Sequence, residues 1–206
     1  MSVIDSLPDD RVRTSVLDAA EVLFERYGYR KTTVEEIAQE AGIGKGSIYL
    51  HFKSKEEIGL GWLKRLHSGV FASLNAIVED ENLSPAERIQ KMLSHRVLVR
   101  FDIFDRHRRS MDEAMDSLQA CIREKREAFH KLEAEMISGL IDQGVANGSL
   151  ISKEPLEDAY SMIIASSALC PYSLRPSQLG DRESVEERAT KLASLLVRGI
   201  ESRRAS

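Results

Sequence analysis

Residues 33–52 read TVEEIAQEAGIGKGSIYLHF and contain the patterns of two short helices. A capping box is expected to begin the first helix at Thr33, because its hydroxyl and the carboxylate of Glu36 each accept a backbone N–H of the other residue. Gly42-Ile43-Gly44 interrupts the helical pattern, and a second helix is expected from Lys45 to Phe52. Two short helices joined by a tight glycine turn are typical of a helix-turn-helix.

The second short helix has an apolar face and a polar face. Ile48 and Phe52 lie four residues apart and are expected to share a small core with Ile37 and Ala38 of the first helix. The opposite face carries a cation, a glycine, a hydroxyl, a phenol and an apolar side chain, in order Lys45, Gly46, Ser47, Tyr49 and Leu50. This face suits a DNA groove, because glycine lets the backbone approach, lysine supplies charge and a phenol can donate to a phosphate oxygen.

The charge balance restricts any DNA contact to a local patch. The chain has 29 Lys and Arg against 33 Asp and Glu residues, a formal net charge of −4, so it is not a basic nucleic-acid coat. Residues 41–55 contain three lysines, one histidine and no acidic side chain, whereas residues 1–55 contain eight basic and nine acidic ones. We therefore expect a positive patch with acidic groups elsewhere in the same domain.

The segment resembles the TetR family of bacterial transcriptional regulators. The resemblance is carried by residues 28–38, GYRKTTVEEIA, and residues 41–56, AGIGKGSIYLHFKSKE, while the remainder of the chain agrees only in length and helical pattern. It implies a homodimer that binds a palindromic operator and usually represses. It also implies a three-helix DNA-binding domain over residues 1–55 and a helical ligand-binding and dimerisation domain over residues 56–206.

The resemblance further implies which residues contact DNA. Base contacts are expected from Lys45, Ser47 and Leu50, the last against a thymine methyl group. Phosphate contacts are expected from Thr33, Tyr49, His51 and Lys55. Gly46 also belongs to the expected DNA-contacting residues. His51 is equally well interpreted as a solvated neighbour. Gly44 stands where the family often has a serine cap, but glycine is an acceptable cap and binding is expected to be intact.

Outside this segment the sequence predicts further helices and no strand, which makes the fold class all-α with about nine helices. Capping boxes are expected at Ser54, Ser84 and Ser184 as well as at Thr33. The expected ranges are 9–27, closed by Gly28, then 54–79, 84–101, 104–118, 121–146, 155–169 and a last helix from Ser184. Pro171, Pro176 and Gly180 mark a loop before that helix.

A ligand pocket is expected among the helices between Ser84 and Leu169. Methionine and aromatic side chains suit an apolar, adaptable cavity. The candidate lining residues are Met92, His95, Arg96, Val99, Ile103, Met111, Met115, Phe129, Met136, Tyr160 and Ile164. The alternative is that these residues fill a solid core. For any single residue, this alternative is favoured over contact with a ligand. The run from Arg106 to Arg109 is interpreted as a solvated helix end, with contact to an anionic ligand as the alternative.

Self-association is expected through the last two helices. Small residues at Ala165 and Ala168 let helices approach closely, and Leu192, Leu196 and Ile200 give the last helix an apolar stripe. Two helices from each subunit would form a four-helix bundle, and a twofold operator needs two recognition helices about 34 Å apart. Packing within one chain is the alternative.

The predicted function is a ligand-responsive DNA-binding regulator, most simply a repressor that a small, largely apolar molecule releases. An enzyme is not expected, because the chain contains no G-x-S-x-G, P-loop, H-E-x-x-H or G-x-G-x-x-G motif. A helical scaffold whose C-terminal half binds a protein partner is the alternative function.

Composition predicts a cytoplasmic protein with no cofactor and no metal site. Cys121 and Cys170 fit a reducing compartment and form no Cys/His cluster. The first ten residues carry three aspartates and do not resemble a secretory signal. The longest uncharged run, residues 159–174, has 16 residues including four serines, so it is too short and too polar to cross a bilayer.

Overall fold

The computed structural model describes residues 10–171 and 180–202, which form eight α-helices. In chain order these are α1 (Asp10–Tyr27), α2 (Val34–Glu40), α3 (Lys45–His51), α4 (Lys55–Val78), α5 (Pro85–Arg106), α6 (Arg108–Ala146), α7 (Pro155–Ser167) and α8 (Arg182–Arg198). Within these ranges β-pairing is limited to one isolated antiparallel bridge between Leu150 and Glu201. The predicted all-α class is confirmed. Pro176, one of the three predicted loop markers, lies outside the described residues.

One long helix replaces two of the predicted ones. Helix α6 runs over 39 residues, where separate helices were expected at 104–118 and 121–146. Neither glycine nor proline occurs between residues 108 and 138, so no helix-breaking residue interrupts the helix there. The buried residues of α6 change from Met111 and Leu118 to Ile137 and Leu140 along its length. The apparent break in the pattern was therefore a change in the buried face, and the prediction of two helices was wrong.

The predicted capping boxes of α2 and α5 are confirmed. Thr33 Oγ1 accepts the N–H of Glu36 at 3.2 Å, and the Glu36 carboxylate accepts the N–H of Thr33 at 2.8 Å. Ser84 and Glu87 repeat this arrangement at 3.3 and 2.8 Å. Each pair satisfies two N–H groups that the first turn of a helix leaves without partners.

The other two caps differ from the prediction. At α4, Ser54 Oγ accepts the N–H of Glu57, but the carboxylate of Glu57 accepts the N–H of Lys53 instead of that of Ser54, so the box is incomplete. At α8, Asp181 is the cap and accepts the N–H of Ser184 at 2.8 Å, so the helix begins before the predicted start at Ser184. An aspartate three residues earlier already accepts one N–H of the first turn.

The chain divides into two compact units. Unit 1 comprises the described part of residues 1–67 together with 107–122, and unit 2 comprises residues 68–106 with the described part of 123–206. Helices α4 and α6 therefore each contribute residues to both units. The domain boundary after residue 55 stays a prediction.

The core of unit 1 orients its short helices. Phe24 of α1 and Trp62 of α4 meet edge to face, with ring centres 5.4 Å apart. Ile37 of α2, Ile48 of α3 and Phe52 are at most 1% exposed. Because helices of seven residues are marginal in water, this burial decides which faces of α2 and α3 point outward.

The core of unit 2 is formed by α5, the later part of α6, α7 and α8, with the end of α4. Its main cluster includes Leu74, Ile89, Met92, Ile137 and Leu140, all fully buried. A smaller cluster consists of Val97, Phe101, Cys170, Val185 and Ala189. In the part of the chain that the structure describes, no helix combines the length and the apolar character needed to cross a membrane.

Two glycines of α6 form a matched pair for testing the packing at the end of this helix. A Cβ at Gly144 would lie 2.9 Å from Leu150 Cβ and closer still to the rest of that side chain, whereas a Cβ at Gly139 meets no described atom within 4 Å. Leu150 cannot easily move, because the N–H groups of Ser149 and Leu150 both donate to Gly144 O at 2.9 and 3.0 Å.

We expect Gly144→Ala to lower the free energy of unfolding by about 1–3 kcal/mol through overpacking. Gly139→Ala should raise it by about 0.5–1 kcal/mol, since alanine is the better helix former. Urea unfolding of both variants checks this pair, and equal effects of the same sign would contradict the packing described.

Candidate functional site

The outward face of α3 is the candidate nucleic-acid interface. As predicted, Ile48 and Phe52 are buried, which leaves Tyr49 47% and Leu50 83% exposed. Lys45 and Gly46 are exposed too, and Ser47 is half-buried. A Cβ at Gly46 would meet no described atom within 4 Å, so packing within the chain does not require glycine there. The sequence prediction of which residues face outward on this helix is confirmed.

The ammonium of Lys45 is paired with a carboxylate that the sequence analysis did not single out. Glu35 of α2 accepts a hydrogen bond from Lys45 Nζ, which also lies 5.8 Å from the centre of the Tyr49 ring. The hydrogen bond between them raises the pKa of Lys45 and lowers that of Glu35. Both side chains are about half exposed, so the pair is an easily exchanged surface contact.

Lys55 holds the backbone of the α1–α2 loop together. Its ammonium donates to the carbonyl oxygens of Tyr29, Arg30 and Thr32 at 3.0, 3.1 and 3.0 Å, and it lies 4.8 Å from the centre of the Tyr29 ring. An ammonium has three donors, and all three are used. These contacts give Lys55 a positioning role that the sequence does not reveal, and its expected phosphate contact stays a prediction.

The same loop is also held by the beginning of α6. Gly28 has φ +88°, a left-handed conformation that favours glycine. The N–H of Arg30 donates to the carboxylate of Glu113 at 2.7 Å, and the Arg30 guanidinium pairs with Asp116 at 3.2 Å. Burial, with a smaller contribution from Glu56, raises the pKa of Tyr29 to about 12, so its phenol stays neutral.

Arg13 of α1 supports the end of α3. Its guanidinium donates to the carbonyl oxygen of His51 at 2.6 Å and lies 4.3 Å from the centre of the Phe52 ring. A cation at this position satisfies a terminal carbonyl and complements the helix dipole. The sequence analysis missed Arg13, because the contact joins residues 38 positions apart.

One group of side chains in unit 1 has the composition of a metal site but is already paired. Ligand-capable atoms of Glu21, Glu25 and His107 lie within 4.8 Å of one another. Arg65 pairs with Glu21, however, and His107 Nδ1 lies 3.0 Å from Glu25 Oε1. The guanidinium of Arg65 disfavours a cation at this place.

The predicted pocket residues belong to both units. Met111 and Met115 belong to unit 1, and the others belong to unit 2. Met92 and Arg96 are fully buried, whereas Ile164 is 48% exposed and therefore does not line an interior cavity of this chain. Val99, Ile103, Met136 and Tyr160 are half-buried against the main core of unit 2.

The remaining two pocket candidates have local partners within unit 2. His95 Nε2 lies 3.0 Å from Ser73 Oγ, and burial lowers the pKa of this histidine. Phe129 lies against Phe71, with ring centres 5.8 Å apart. In the predicted basic run, Arg106 and Arg108 are exposed, as a solvated helix end requires, but His107 is buried. The side chain of Arg109 lies outside the described ones.

A buried ionic cluster lies inside unit 2 and was largely missed by the sequence analysis. Glu133 of α6 is fully buried and accepts hydrogen bonds from Arg96 Nε at 2.8 Å and from Arg100 Nη2, and both arginines belong to α5. Burial would raise the pKa of Glu133, but the two guanidiniums outweigh it, so the pKa lies below its usual value. Only Arg96 was among the predicted residues, since an acidic residue on a long charged helix gives no signal of burial.

Residues of α6 and α7 complete this cluster. Arg96 Nη1 donates to Ser166 Oγ at 2.7 Å and Nη2 to Ser167 Oγ at 3.2 Å. His130 Nε2 lies 3.3 Å from Ser167 Oγ. Burial and the neighbouring guanidinium of Arg96 lower the pKa of His130 to about 4, so its imidazole is neutral near pH 7.

The predicted dimer residues divide into two groups. Ala168 is exposed, and Ala165 and Leu192 are half-buried. Leu196 and Ile200 pack against the main core of their own chain. The apolar side chains that α7 and α8 expose most are instead Leu156, Ile164 and Leu195, at 44, 48 and 58%.

Comparison with known proteins gives the same fold and identifies a family. The family model described as bacterial regulatory proteins, tetR family, matches residues 16–59. Over 140 residues the chain is 31% identical to the HTH-type transcriptional repressor KstR2 of Mycobacterium tuberculosis strain H37Rv. The aligned residues cover 66% of this chain and 68% of that protein.

Two solved structures share the fold at low identity. A transcriptional regulator from Cytophaga hutchinsonii has a TM-score of 0.71 at 22% identity, and the superposition covers 90% of this chain and 96% of that protein's chain. SmeT in complex with triclosan has a TM-score of 0.65 at 20% identity, and the superposition covers 94% of this chain and 93% of the SmeT chain. SmeT is the repressor of the Stenotrophomonas maltophilia multidrug efflux pump SmeDEF.

The contacts of Lys55 predict that it contributes to stability. Lys55→Met keeps the aliphatic stem but leaves three carbonyl oxygens without their donor, so we expect the free energy of unfolding to fall by about 1–3 kcal/mol. Lys53→Met removes the same charge from an exposed neighbour and should change it by less than about 0.5 kcal/mol. Urea unfolding checks both variants. Equal stability of the two would contradict the positioning role.

Proposed function

Since the chain belongs to the TetR family of bacterial regulatory proteins, and is therefore a DNA-binding regulator rather than an enzyme, we propose that it is a repressor. It binds a palindromic operator as a homodimer, and a small, largely apolar molecule releases it. Residues 1–55 form the DNA-binding domain and residues 56–206 the ligand-binding and dimerisation domain. A regulator acts where the chromosome is, which places the chain in the cytoplasm.

The observation that carries this proposal is the exposed face of α3. Leu50 is the most exposed of the large apolar side chains that the structure describes, and it stands beside exposed Tyr49 on a helix whose other face is buried. Exposed apolar and aromatic side chains on a positioned helix indicate a surface that a partner covers. In a helix-turn-helix the partner is the major groove.

Each residue of this face then has a role. Lys45, Ser47 and Leu50 contact base edges, Gly46 lets the backbone approach, and Thr33, Tyr49 and His51 contact phosphates. Lys45 must leave Glu35 to reach DNA, and an exposed pair of this kind exchanges at little cost. Lys55 acts indirectly by holding the loop that precedes α2.

The dimer surface is formed by α7 and α8. Leu156 and Ile164 lie eight residues apart and so share one face of α7, with the exposed Ala168 four residues further on. Leu195 and the half-buried Leu192 supply the matching part of α8. Ala165 belongs to this surface, whereas Leu196 and Ile200 support it from the core. Ile164 therefore moves from the pocket set to the dimer set.

Release by a ligand requires different affinities for two arrangements of the dimer. SmeT binds triclosan, and we place an effector site of this chain in unit 2, beside Val99, Ile103, Met136 and Tyr160. Helices α4 and α6 carry residues of both units and link the ligand to the DNA-binding residues. A ligand that binds more tightly to the arrangement that mismatches the operator shifts the population toward it.

The first test of the proposal uses the promoter fragment upstream of the chain's own gene. We expect wild-type protein to bind it with nanomolar-range affinity that falls steeply with salt. Tyr49→Phe, which removes only the hydroxyl, and Lys45→Ala should each weaken binding by roughly tenfold or more while the free energy of unfolding changes little. Fluorescence anisotropy over a salt series measures this.

Lys153→Ala is the control, since it removes an exposed lysine of unit 2. Wild-type affinity in both α3 variants would defeat the site assignment. Failure of the wild-type protein to bind any fragment of its own locus would favour a scaffold over a repressor.

The second test addresses the dimer. Ile164→Glu and Leu195→Glu each place a charge in the proposed interface, so we expect monomers in light scattering after size exclusion and a loss of operator affinity. Leu50→Glu makes the same chemical change on α3 and should leave the dimer intact while abolishing DNA binding. If all three variants stay dimeric, α7 and α8 are not the interface.

A further inference from the structure

The ionic cluster inside unit 2 contains more positive than negative charge. Arg96, Arg100 and Glu133 are at most 6% exposed, so two guanidiniums share one carboxylate without solvent around them. His130 does not alter the balance, because its imidazole is neutral. Among the side chains that the structure describes, the cluster therefore retains one uncompensated positive charge.

Hydrogen bonding identifies which cation is incompletely satisfied. Arg96 donates through Nε and both terminal nitrogens, to Glu133, Ser166 and Ser167. Arg100 donates to the carbonyl oxygen of Arg96 at 2.8 Å and to Glu133, but its Nε has no hydrogen-bond partner among the described residues. The two serine hydroxyls themselves donate to backbone carbonyls.

This arrangement is costly unless an anion completes it. An unpaired charge or N–H group in a buried site carries a desolvation cost that solvent no longer offsets. Arg96 alone would neutralise Glu133 and already uses its donors, so Arg100 is not needed to balance the carboxylate. A second buried arginine with a donor left over is what a site for an anionic group requires.

We propose that the effector of this regulator is an amphipathic acid, whose single anionic group pairs with Arg100 while its apolar part lies among half-buried side chains of unit 2. The inference rests on the proposed function, and it adds an anionic group to the small, largely apolar effector proposed there. Val99 and Ile103 lie within one turn of Arg100 on α5, and Met136 lies within one turn of Glu133 on α6. These three side chains are the apolar part of the site.

Isothermal titration calorimetry with three probes separates the contribution of the probe's negative charge to binding from that of its alkyl chain. Octanoate carries both the acid and the apolar chain, octanamide the chain alone, and acetate the charge alone. We expect wild-type protein to bind octanoate at least roughly tenfold more tightly than either other probe, since a charged hydrogen bond in a buried site is worth that much. Arg100→Met should lose this preference, and the exposed Arg182→Met should keep it.

Unfolding in urea distinguishes a ligand role of Arg100 from a structural one. Arg96→Met leaves Ser166, Ser167 and part of Glu133 without donors and should be strongly destabilising. Arg100→Met leaves a neutral Arg96–Glu133 pair and should cost much less. Equal losses in the two variants would show that Arg100 is structural and would overturn the proposal.

Three further outcomes overturn the proposal: no binding of octanoate, equal binding of octanamide, or binding of acetate as tight as that of octanoate. Operator binding is measured on the same wild-type sample without probe. A protein that binds its operator but ignores octanoate refutes the acid effector alone, whereas a protein that binds no operator refutes the proposed function.

Discussion

A helix of seven residues is not stable in water by itself, so the conformation of α3 depends on the burial of Ile48 and Phe52 in the core of unit 1. That burial does more than stabilise the helix. It fixes the rotation of α3 about its own axis, and rotation alone decides that Lys45, Tyr49 and Leu50 face outward. The same unit contains the aromatic pair of Phe24 and Trp62, and Gly42 takes the positive φ of the turn between α2 and α3.

The basic residues around α3 have different uses, and their number alone overstates the positive surface. Lys55 and Arg13 donate to backbone carbonyls, at the loop before α2 and at the end of α3. Lys45 pairs with Glu35 on the surface. A cation that satisfies buried or terminal carbonyls contributes to the shape of the candidate interface, and a cation in an exposed pair contributes to its charge. The two functions require different environments, which only the folded structure distinguishes.

The sequence predicted what depends on neighbours in the chain and failed where distant residues meet. The faces of α3 follow from a four-residue spacing, and the caps at Thr33 and Ser84 from a three-residue spacing, so both were predicted correctly. The caps at α4 and α8 differ from the prediction only in which nearby residue makes the bond. Glu57 accepts the N–H of Lys53 instead of that of Ser54, and Asp181 caps α8 instead of Ser184. The contacts of Arg13 with His51 and of Arg100 with Glu133 join residues more than thirty positions apart, and no periodicity reveals them. The continuity of α6 was missed because a change of buried face resembles a helix end.

The two ion pairs of Lys45 with Glu35 and of Arg96 with Glu133 show how burial changes the meaning of the same chemistry. At the surface, water and salt screen the charges, so Lys45 can leave its carboxylate for another acceptor with a small change in free energy. In the interior that screening is absent, and every donor must have a partner. An additional guanidinium at the surface would need no explanation. In the interior of unit 2, the same group needs either a second carboxylate of the chain, which the described residues do not supply, or an anion from outside. The location of the excess charge, more than its size, is therefore what makes Arg100 informative about the ligand.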